Sequence, residues 1–451
     1  MGNVVLVLSG ITLSLFGFIV VFIRLKAINV IDVYIFYLCQ YYGLLSVFDG
    51  ISNDYSGYDI SYIIFIHVLV FCAVQVLFIL SKIYRKEFFA FLDFWQLIYL
   101  NGRLRLSIIR LFTISILISF LVIREYLFKS YYGSLLEENN ANMLIGVVPY
   151  WVSTIIMLFD PFFFIGAVLA FLLLIRGRKK GRLLILFDLL IFALFLLEAI
   201  QLGRTSILVL LTTCVLIYVI SFNTRVSVSA FIASGTASII LIILLTNYYQ
   251  THRNGQNKDL SLVDSITNFD SNLSNIKDRM TMWHFNYLIM EQKWGGDIST
   301  DYLGQITIEI SAIAIPKVFV GDIVKTTGDE IISTTFNIFY TDYPSNDFTT
   351  LFSDFGVFVV FLLPFKVFLL VLLFSYIYKL TINKAPFITM FYFILYLRYM
   401  LNIENEFNSY IILFRDTIIY GIVFYMFYMF YMFYMVIKLI RLGRISTPVS
   451  L

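Results

Sequence analysis

The chain has 451 residues, of which 60% are hydrophobic, 18% aromatic and 14% charged, and its formal net charge at pH 7 is +3. Soluble domains average about 25% charged and about 45–50% apolar residues, so this composition excludes an ordinary soluble protein and indicates one embedded in a bilayer. No Walker A, dinucleotide-binding or zinc-protease motif occurs in the sequence, and nothing in it indicates nucleic-acid binding.

Long apolar runs predict an all-α, polytopic membrane protein. A membrane-spanning helix needs about 20 mostly apolar residues, and the chain has about eleven such runs. Continuous runs differ from the alternating segments of about ten residues that build outer-membrane barrels. The predicted spans are residues 4–23, 30–48, 61–81, 107–123, 157–175, 183–201, 205–222, 227–246, 355–378, 386–402 and 410–437.

Basic residues fall in alternate connections between these spans, and this pattern predicts the orientation. Lys179 and Lys180 follow the fifth span, for example, whereas Asp49, Asp54 and Asp59 follow the second. Loops rich in lysine and arginine face the cytoplasm. We therefore predict that the N-terminus lies outside the membrane and that the C-terminus is cytoplasmic.

One long polar segment, residues 247–354, interrupts the apolar runs, and the charge pattern places it outside. The sequence thus predicts about eight transmembrane helices in residues 1–246, then this large extracytoplasmic loop, then about three transmembrane helices in residues 355–451. Within the loop, residues 278–292 predict a short amphipathic helix. Residues 306–315 are apolar but too short to span, so we expect them to lie on or dip into the membrane.

Arginines near the outer boundary are the candidate substrate-binding residues. A charged side chain at this depth is costly unless it snorkels, pairs or binds a ligand, and a guanidinium can clamp phosphate through two hydrogen bonds. Contact with lipid headgroups and structural ion pairs remain open as alternatives. The candidates are Arg204, Arg253, Arg279, Arg398 and Arg415.

The candidate catalytic proton carriers are His252, His284 and Glu404. Histidine changes charge near neutral pH and is the commonest such group, although an ordinary surface histidine, or an ion pair for Glu404, is the alternative. The chain has 3 histidines, and they do not have the spacing of metal ligands. This argues against a histidine-based metal site, while Mg²⁺ held by carboxylates remains open as an alternative. We predict no metal site and no cofactor.

Short motifs follow one another around the polar segment. Gly203-Arg204 lies between two predicted spans on the outer side. It is followed by Ala314-Ile315-Pro316-Lys317, by Ser333-Thr334-Thr335 and by Asp354-Phe355-Gly356-Val357, which opens the next span. Over residues 195–375 this layout resembles the Wzy-type oligosaccharide repeat-unit polymerases, the O-antigen and capsule polymerases. That family usually has Pro-Arg where the second motif here ends in Pro-Lys.

The resemblance implies a glycosyltransferase at the outer face of a bacterial plasma (inner) membrane. It would transfer the growing glycan from one undecaprenyl diphosphate to a new lipid-linked repeat unit. The implied partners are undecaprenyl-diphosphate-linked oligosaccharides, the lipid bilayer, a chain-length regulator and a flippase, with no nucleic acid. Boundary arginines would neutralise the diphosphate, and a histidine or carboxylate would accept the proton of the attacking hydroxyl.

Two other functions remain open. An O-antigen ligase-like transferase of lipid-linked glycans shares this plan but uses a different acceptor. A polysaccharide flippase or transporter belongs to another class, and such proteins tend to place functional groups at the bilayer midplane. The predicted spans carry few charges near the midplane and the strong polar content lies outside, which favours the transferase.

Overall fold

A computed structural model describes the chain over residues 1–24, 30–83, 106–123, 150–176, 182–202, 207, 209–215, 282–295, 304–313, 328–339, 346–381, 386–401 and 407–441. Over these ranges the chain forms helices joined by turns, without a strand. The predicted all-helical class is therefore confirmed for the part of the chain that is described. The predicted span 227–246 and most of 205–222 lie outside it.

The helices of the first half coincide with predicted spans. They are α1 (Gly2–Arg24), α2 (Val30–Tyr42), α3 (Leu44–Ser52), α4 (Ile60–Ile83), α5 (Leu106–Val122), α6 (Tyr150–Arg176) and α7 (Arg182–Leu202).

The second half begins with short helices inside the polar segment and ends with longer ones. They are α8 (Met282–Met290), a π-helical turn (Glu291–Gly295), α9 (Gln305–Ile313), α10 (Gly328–Thr335), α11 (Asp347–Phe355), a 3₁₀ turn (Gly356–Phe358), α12 (Val359–Thr381), α13 (Pro386–Leu401) and α14 (Phe407–Arg441).

Within the described ranges, 5 helical segments are long and apolar enough to cross a membrane: Gly2–Ile23, Val30–Ser52, Ile60–Ile83, Asp347–Thr381 and Ser409–Met426. Large apolar side chains recur at helical spacing on their outer faces, such as Leu8, Leu15 and Ile19 on α1 and Phe361 and Phe365 on α12, and all of these are exposed. Such stripes suit lipid tails rather than water. The chain is therefore a helical membrane protein, while the number of about eleven spans stays a prediction.

Glycines allow α1 to approach the junction between α2 and α3 closely. A Cβ atom added to Gly43 would lie 2.7 Å from the Ser14 nitrogen and 2.8 Å from the Gly10 carbonyl oxygen. Membrane helices often cross at such small residues, because close backbone approach increases van der Waals contact. The break at Gly43 also divides one predicted span into α2 and α3.

The segment Asp347–Thr381 does not form a single straight rod. Gly356 has a φ angle of +53° at the end of α11, in the region that favours glycine. Asp347 forms an ion pair with Lys366, although these residues would be about 28 Å apart along a continuous helix. The chain therefore folds back at Gly356, and α11 packs against α12 as the short arm of a helical hairpin.

The Asp347–Lys366 pair is buried where three helices meet. The Asp347 side chain is 5% exposed and the Lys366 side chain 11%. The Lys366 ammonium also lies 3.3 Å from the centre of the Tyr410 ring, on α14. Cation–π and ionic contacts together offset part of the cost of burying this charge, and they join α11, α12 and α14.

We predict that Lys366→Met lowers the free energy of unfolding by about 3–5 kcal/mol, because it leaves the buried Asp347 carboxylate unpaired. The double variant Asp347→Asn/Lys366→Met should recover most of this loss. The measurement is SDS-induced unfolding in mixed micelles. Lys379→Met is the matched control, since Lys379 is exposed on the same helix. An equal loss in the control would contradict a specific role for the pair.

Candidate functional site at one end of the bundle

Helix α8 comes from the predicted extracytoplasmic loop but is packed into the helix bundle. It contacts α4, α11 and α2. The sequence predicts an apolar face made of Trp283, Phe285, Leu288 and Ile289. Leu288 is half-buried and the other three are buried, and the polar side chains of Asn286 and Tyr287 are buried too. A short helix is confirmed over Met282–Met290, but these polar side chains are enclosed, so the prediction of an amphipathic helix with one face in solvent is wrong for these residues.

The start of α1, the turn between α3 and α4, and α8 meet at one end of the bundle. Asn3 donates through Nδ2 to the Gly50 carbonyl oxygen at 2.9 Å, and its Oδ1 accepts from the Tyr55 nitrogen at 2.8 Å. Trp283 reaches Asp49 from α8 at the same end. The charge pattern puts these three segments on one side of the membrane. That this side is the outer one stays a prediction.

Asp49 positions α8. Its Oδ1 accepts hydrogen bonds from Asn53 Nδ2 at 2.6 Å and from the Tyr55 hydroxyl at 2.8 Å, and its Oδ2 accepts from Trp283 Nε1 at 2.6 Å. Three donors make burial of a carboxylate tolerable. Burial, and then the nearby Asp49 carboxylate, raise the pKa of Tyr55 above its usual range, so Tyr55 stays a donor at physiological pH.

His284 lies on the next position of α8 and faces aromatic rings. Its Nε2 is 2.9 Å from the Tyr58 hydroxyl, and its ring centre is 5.6 Å from that of Trp283 and 6.0 Å from that of Tyr55. Burial lowers the pKa of His284 from 6.5 to about 4. His284 is therefore neutral near pH 7, and either tautomer allows one hydrogen bond with Tyr58.

A buried polar network fixes the inner side of α8. Asn286 Nδ2 donates to the Tyr42 hydroxyl at 2.8 Å, which donates to Asn346 Oδ1 at 3.3 Å. Asn346 Oδ1 also accepts from the Thr349 nitrogen at 2.9 Å and thereby caps α11. These four side chains are at most 1% exposed. The network thus joins α2, α8 and α11 into one unit.

The Asp354-Phe355-Gly356 motif organises the neighbouring helix α9. Asp354 accepts from the backbone nitrogens of Ile306 at 3.1 Å and Thr307 at 2.6 Å, which satisfies the first N–H groups of that helix. A Cβ added to Gly304 would lie 3.3 Å from the Phe355 ring. In this structure the motif holds α9 against α11. The predicted dipping segment 306–315 is helical up to Ile313, and its other residues are outside the described ranges.

Arg398 lies on α13, and Arg415 lies on α14. Arg415 donates through Nε and Nη2 to Asp416 Oδ1 at 3.0 and 2.9 Å, and Tyr399 donates to Asp416 Oδ2 at 3.3 Å. The Arg398 guanidinium lies 5.5 Å from the centre of the Phe164 ring. A carboxylate and an aromatic ring thus already contact these arginines, as expected for a structural network.

The sequence did not indicate which charges pair inside the bundle. Arg110 on α5 donates from Nε and Nη2 to the two Asp188 oxygens on α7, at 2.7 Å each. Asp188 is 1% exposed. The position of Asp188 inside a predicted span could have indicated that it is paired, because a carboxylate within the membrane needs a partner. The sequence predicts few charges near the middle of the spans, and the structure shows that Arg110, Asp188 and Lys366, all inside predicted spans, are paired.

The structure places three of the predicted site residues: His284, Arg398 and Arg415. The others, Arg204, His252, Arg253, Arg279 and Glu404, lie outside the described residues. Over the ranges that are described, no group of at least 3 His, Cys, Asp or Glu side chains has an arrangement suited to a metal ion. Comparison of the chain with protein-family models, with curated proteins and with solved structures found no match.

We predict that acid destabilises the protein through His284. The folded pKa of about 4 lies below the ordinary 6.5, so between these values the unfolded state binds the proton and the folded state does not. Stability contributed by neutral His284 is complete above this window and is lost as the pH falls through it. Thermal unfolding in detergent at about pH 7.5 and about pH 5 measures this effect.

In this experiment His284→Gln should show a smaller loss of unfolding temperature on acidification than the wild type. Asp54→Asn, which alters an exposed residue of the adjacent turn, is the control and should behave like the wild type. An unchanged pH dependence in His284→Gln would contradict the assignment.

Proposed function

We propose that this protein polymerises undecaprenyl-diphosphate-linked oligosaccharide repeat units at the outer face of a bacterial plasma membrane. The observation that supports it is the insertion of α8 into the bundle end. His284 contacts Tyr58, in the turn that carries the exposed Asp54 and Asp59, and this turn leads into α4, which has exposed apolar side chains. A substrate that is part lipid and part sugar needs a binding site that adjoins both the bilayer and the water phase.

The proposed reaction is a glycosyl transfer. The bond between the anomeric carbon of the growing glycan and its diphosphate breaks, and a bond from that carbon to a hydroxyl of the incoming lipid-linked unit forms. The hydroxyl proton passes to a base, and the lipid diphosphate departs with the bonding electron pair. Negative charge develops on the departing diphosphate in the transition state, and stabilising this charge is the main electrostatic contribution to such a reaction.

Arginine side chains would stabilise the negative charge of the departing diphosphate. Arg204, Arg253 and Arg279 are the principal candidates, because they belong to the predicted outer boundary and loop and a guanidinium fits a phosphate with two parallel hydrogen bonds. Arg398 and Arg415 have a smaller part in the proposal, since Phe164 and Asp416 already contact them.

The base is assigned to His252 or Glu404. His284 is less suitable, because a group with a pKa of about 4 holds a proton weakly near neutral pH and efficient bases have pKa values near the working pH. Its hydrogen bond to Tyr58 suits a positioning role instead. In this scheme residues 247–354 are extracytoplasmic, the N-terminus is outside and the C-terminus is cytoplasmic.

A flippase or transporter is the second candidate function, and the buried ion pairs favour it. Arg110, Asp188 and Lys366 lie within apolar helices, and intramembrane charges often mark transport pathways. The Arg110–Asp188 and Asp347–Lys366 pairs are already satisfied internally, which also fits a structural role. An O-antigen ligase-like transferase shares the proposed chemistry and differs in its acceptor.

Deletion of the gene distinguishes these functions, and we predict a specific glycan pattern. Loss of a polymerase should leave single repeat units on the cell surface without long chains. Gel separation of the extracted surface glycan measures the chain-length distribution. Complete absence of surface glycan would favour a flippase, and long unattached polymers would favour a ligase.

We predict that Arg204→Ala abolishes long chains while the protein remains in the membrane, and that Arg204→Lys restores them only partly, because lysine lacks the planar fork. Loss of one charge-assisted contact should cost about 1.5–3 kcal/mol. Arg182→Ala is the control, since Arg182 is exposed at the start of α7, on the predicted cytoplasmic side. Full activity of Arg204→Ala would contradict a role in substrate binding and indicate that Arg204 only contacts lipid headgroups.

A further inference from the structure

An aromatic surface lies beside the candidate site, where the π-helical turn after α8 meets the first turns of α4. The Trp294 side chain is 47% exposed. Its ring centre is 6.4 Å from that of Tyr62 and 5.1 Å from that of Phe65, at interplanar angles of 67° and 71°. Both neighbours are tilted steeply against the indole and do not stack on it.

A buried tyrosine supports this surface and connects it to the site. The Tyr287 ring centre is 5.9 Å from that of Tyr62 and 4.7 Å from that of Tyr58. The Tyr287 hydroxyl accepts a hydrogen bond from the Asp59 nitrogen at 2.9 Å. Since Tyr58 also contacts His284, the aromatic surface is held rigidly next to the candidate site.

Two exposed carboxylates flank the surface. Asp59 caps α4 by accepting from the Ser61 nitrogen at 2.8 Å, and Glu291 opens the π-helical turn. Both are exposed. Asp59 contacts the Tyr287 hydroxyl through its backbone nitrogen, and Glu291 follows Tyr287 by four residues, which is about one helical turn. Burial raises the pKa of Tyr287, and the negative charges of Glu291 and Asp59 raise it further.

The exposed Trp294 ring and the half-buried Tyr62 ring, with carboxylates beside them, match the chemistry of a sugar. One face of a pyranose ring presents C–H groups, which pack on the electron-rich face of an aromatic ring. Its hydroxyl groups donate hydrogen bonds, and carboxylates are strong acceptors. Aromatic residues at a membrane boundary also anchor helices among lipid headgroups. Two carboxylates, however, would repel the phosphate of a headgroup, whereas they attract hydroxyl donors.

We propose that Tyr62 and Trp294, together with Asp59 and Glu291, form a saccharide subsite that holds a sugar ring of the lipid-linked glycan. This subsite rests on the proposed function and specifies how its substrate is recognised. Tyr62 lies in the first turn of the candidate span Ile60–Ile83, so a sugar bound there could keep its lipid anchor in the bilayer.

The experiment measures binding of lipid-free oligosaccharide, released by mild acid from the surface glycan of the producing cell and labelled with a fluorophore. Equilibrium dialysis against the full-length protein in detergent micelles gives the dissociation constant. We expect Trp294→Leu to weaken binding about five- to tenfold, and Trp294→Phe, which keeps an aromatic face, to stay within about twofold of the wild type. Glu291→Gln should also weaken binding.

Phe361→Leu is the control, because Phe361 is an exposed aromatic residue on the lipid-facing stripe of α12, and it should bind as the wild type does. Equal binding by Trp294→Leu and wild type would overturn the subsite, even where gene deletion removes long chains. Full competition by sugar-free undecaprenyl phosphate would overturn it too and make the surface a lipid anchor. If saccharide binding by the purified protein depends on Trp294 but gene deletion leaves the glycan chain length unchanged, the subsite is supported and the polymerase function is rejected.

Discussion

The arrangement of the bundle end depends on the need to satisfy polar groups that no water reaches. An unpaired buried polar group costs several kcal/mol in an apolar environment, so α8 can dock only where its polar side chains find partners. Trp283 finds Asp49 on α3, and Asn286 finds Tyr42 on α2. These hydrogen bonds position α8, and through it His284 and the turn that carries Trp294.

The same requirement explains the short helices around α8. Asn346 caps α11, and Asp354, near the other end of that helix, caps α9. The helical hairpin at Gly356 brings both caps into the bundle, and the Asp347–Lys366 pair holds the hairpin closed. A segment that reads as a polar loop therefore contributes a buried, hydrogen-bonded layer at the end of the apolar helices.

Charge is distributed differently in the two regions. Inside the bundle, Arg110 with Asp188 and Lys366 with Asp347 neutralise each other, so their charges do not attract external ligands. At the bundle end Asp54, Asp59 and Glu291 are exposed. Exposed carboxylates beside aromatic rings favour a neutral, hydroxyl-rich ligand there. In the proposed function, the arginines at the predicted outer boundary of the membrane would bind the diphosphate.

Composition and apolar periodicity were enough to determine the class of protein, because a bilayer admits spanning helices only where about 20 apolar residues follow one another. They also located the short helix around Trp283 and singled out the Asp354-Phe355-Gly356 motif. The pairing of Asp49 with Trp283, of Asp188 with Arg110 and of Asp347 with Lys366 could not be predicted, since each partner belongs to another helix and only helix packing selects it. The depth of His284 was decided in the same way: its pKa follows from burial among Tyr55, Tyr58 and Trp283, and burial is a property of the tertiary structure rather than of the local sequence.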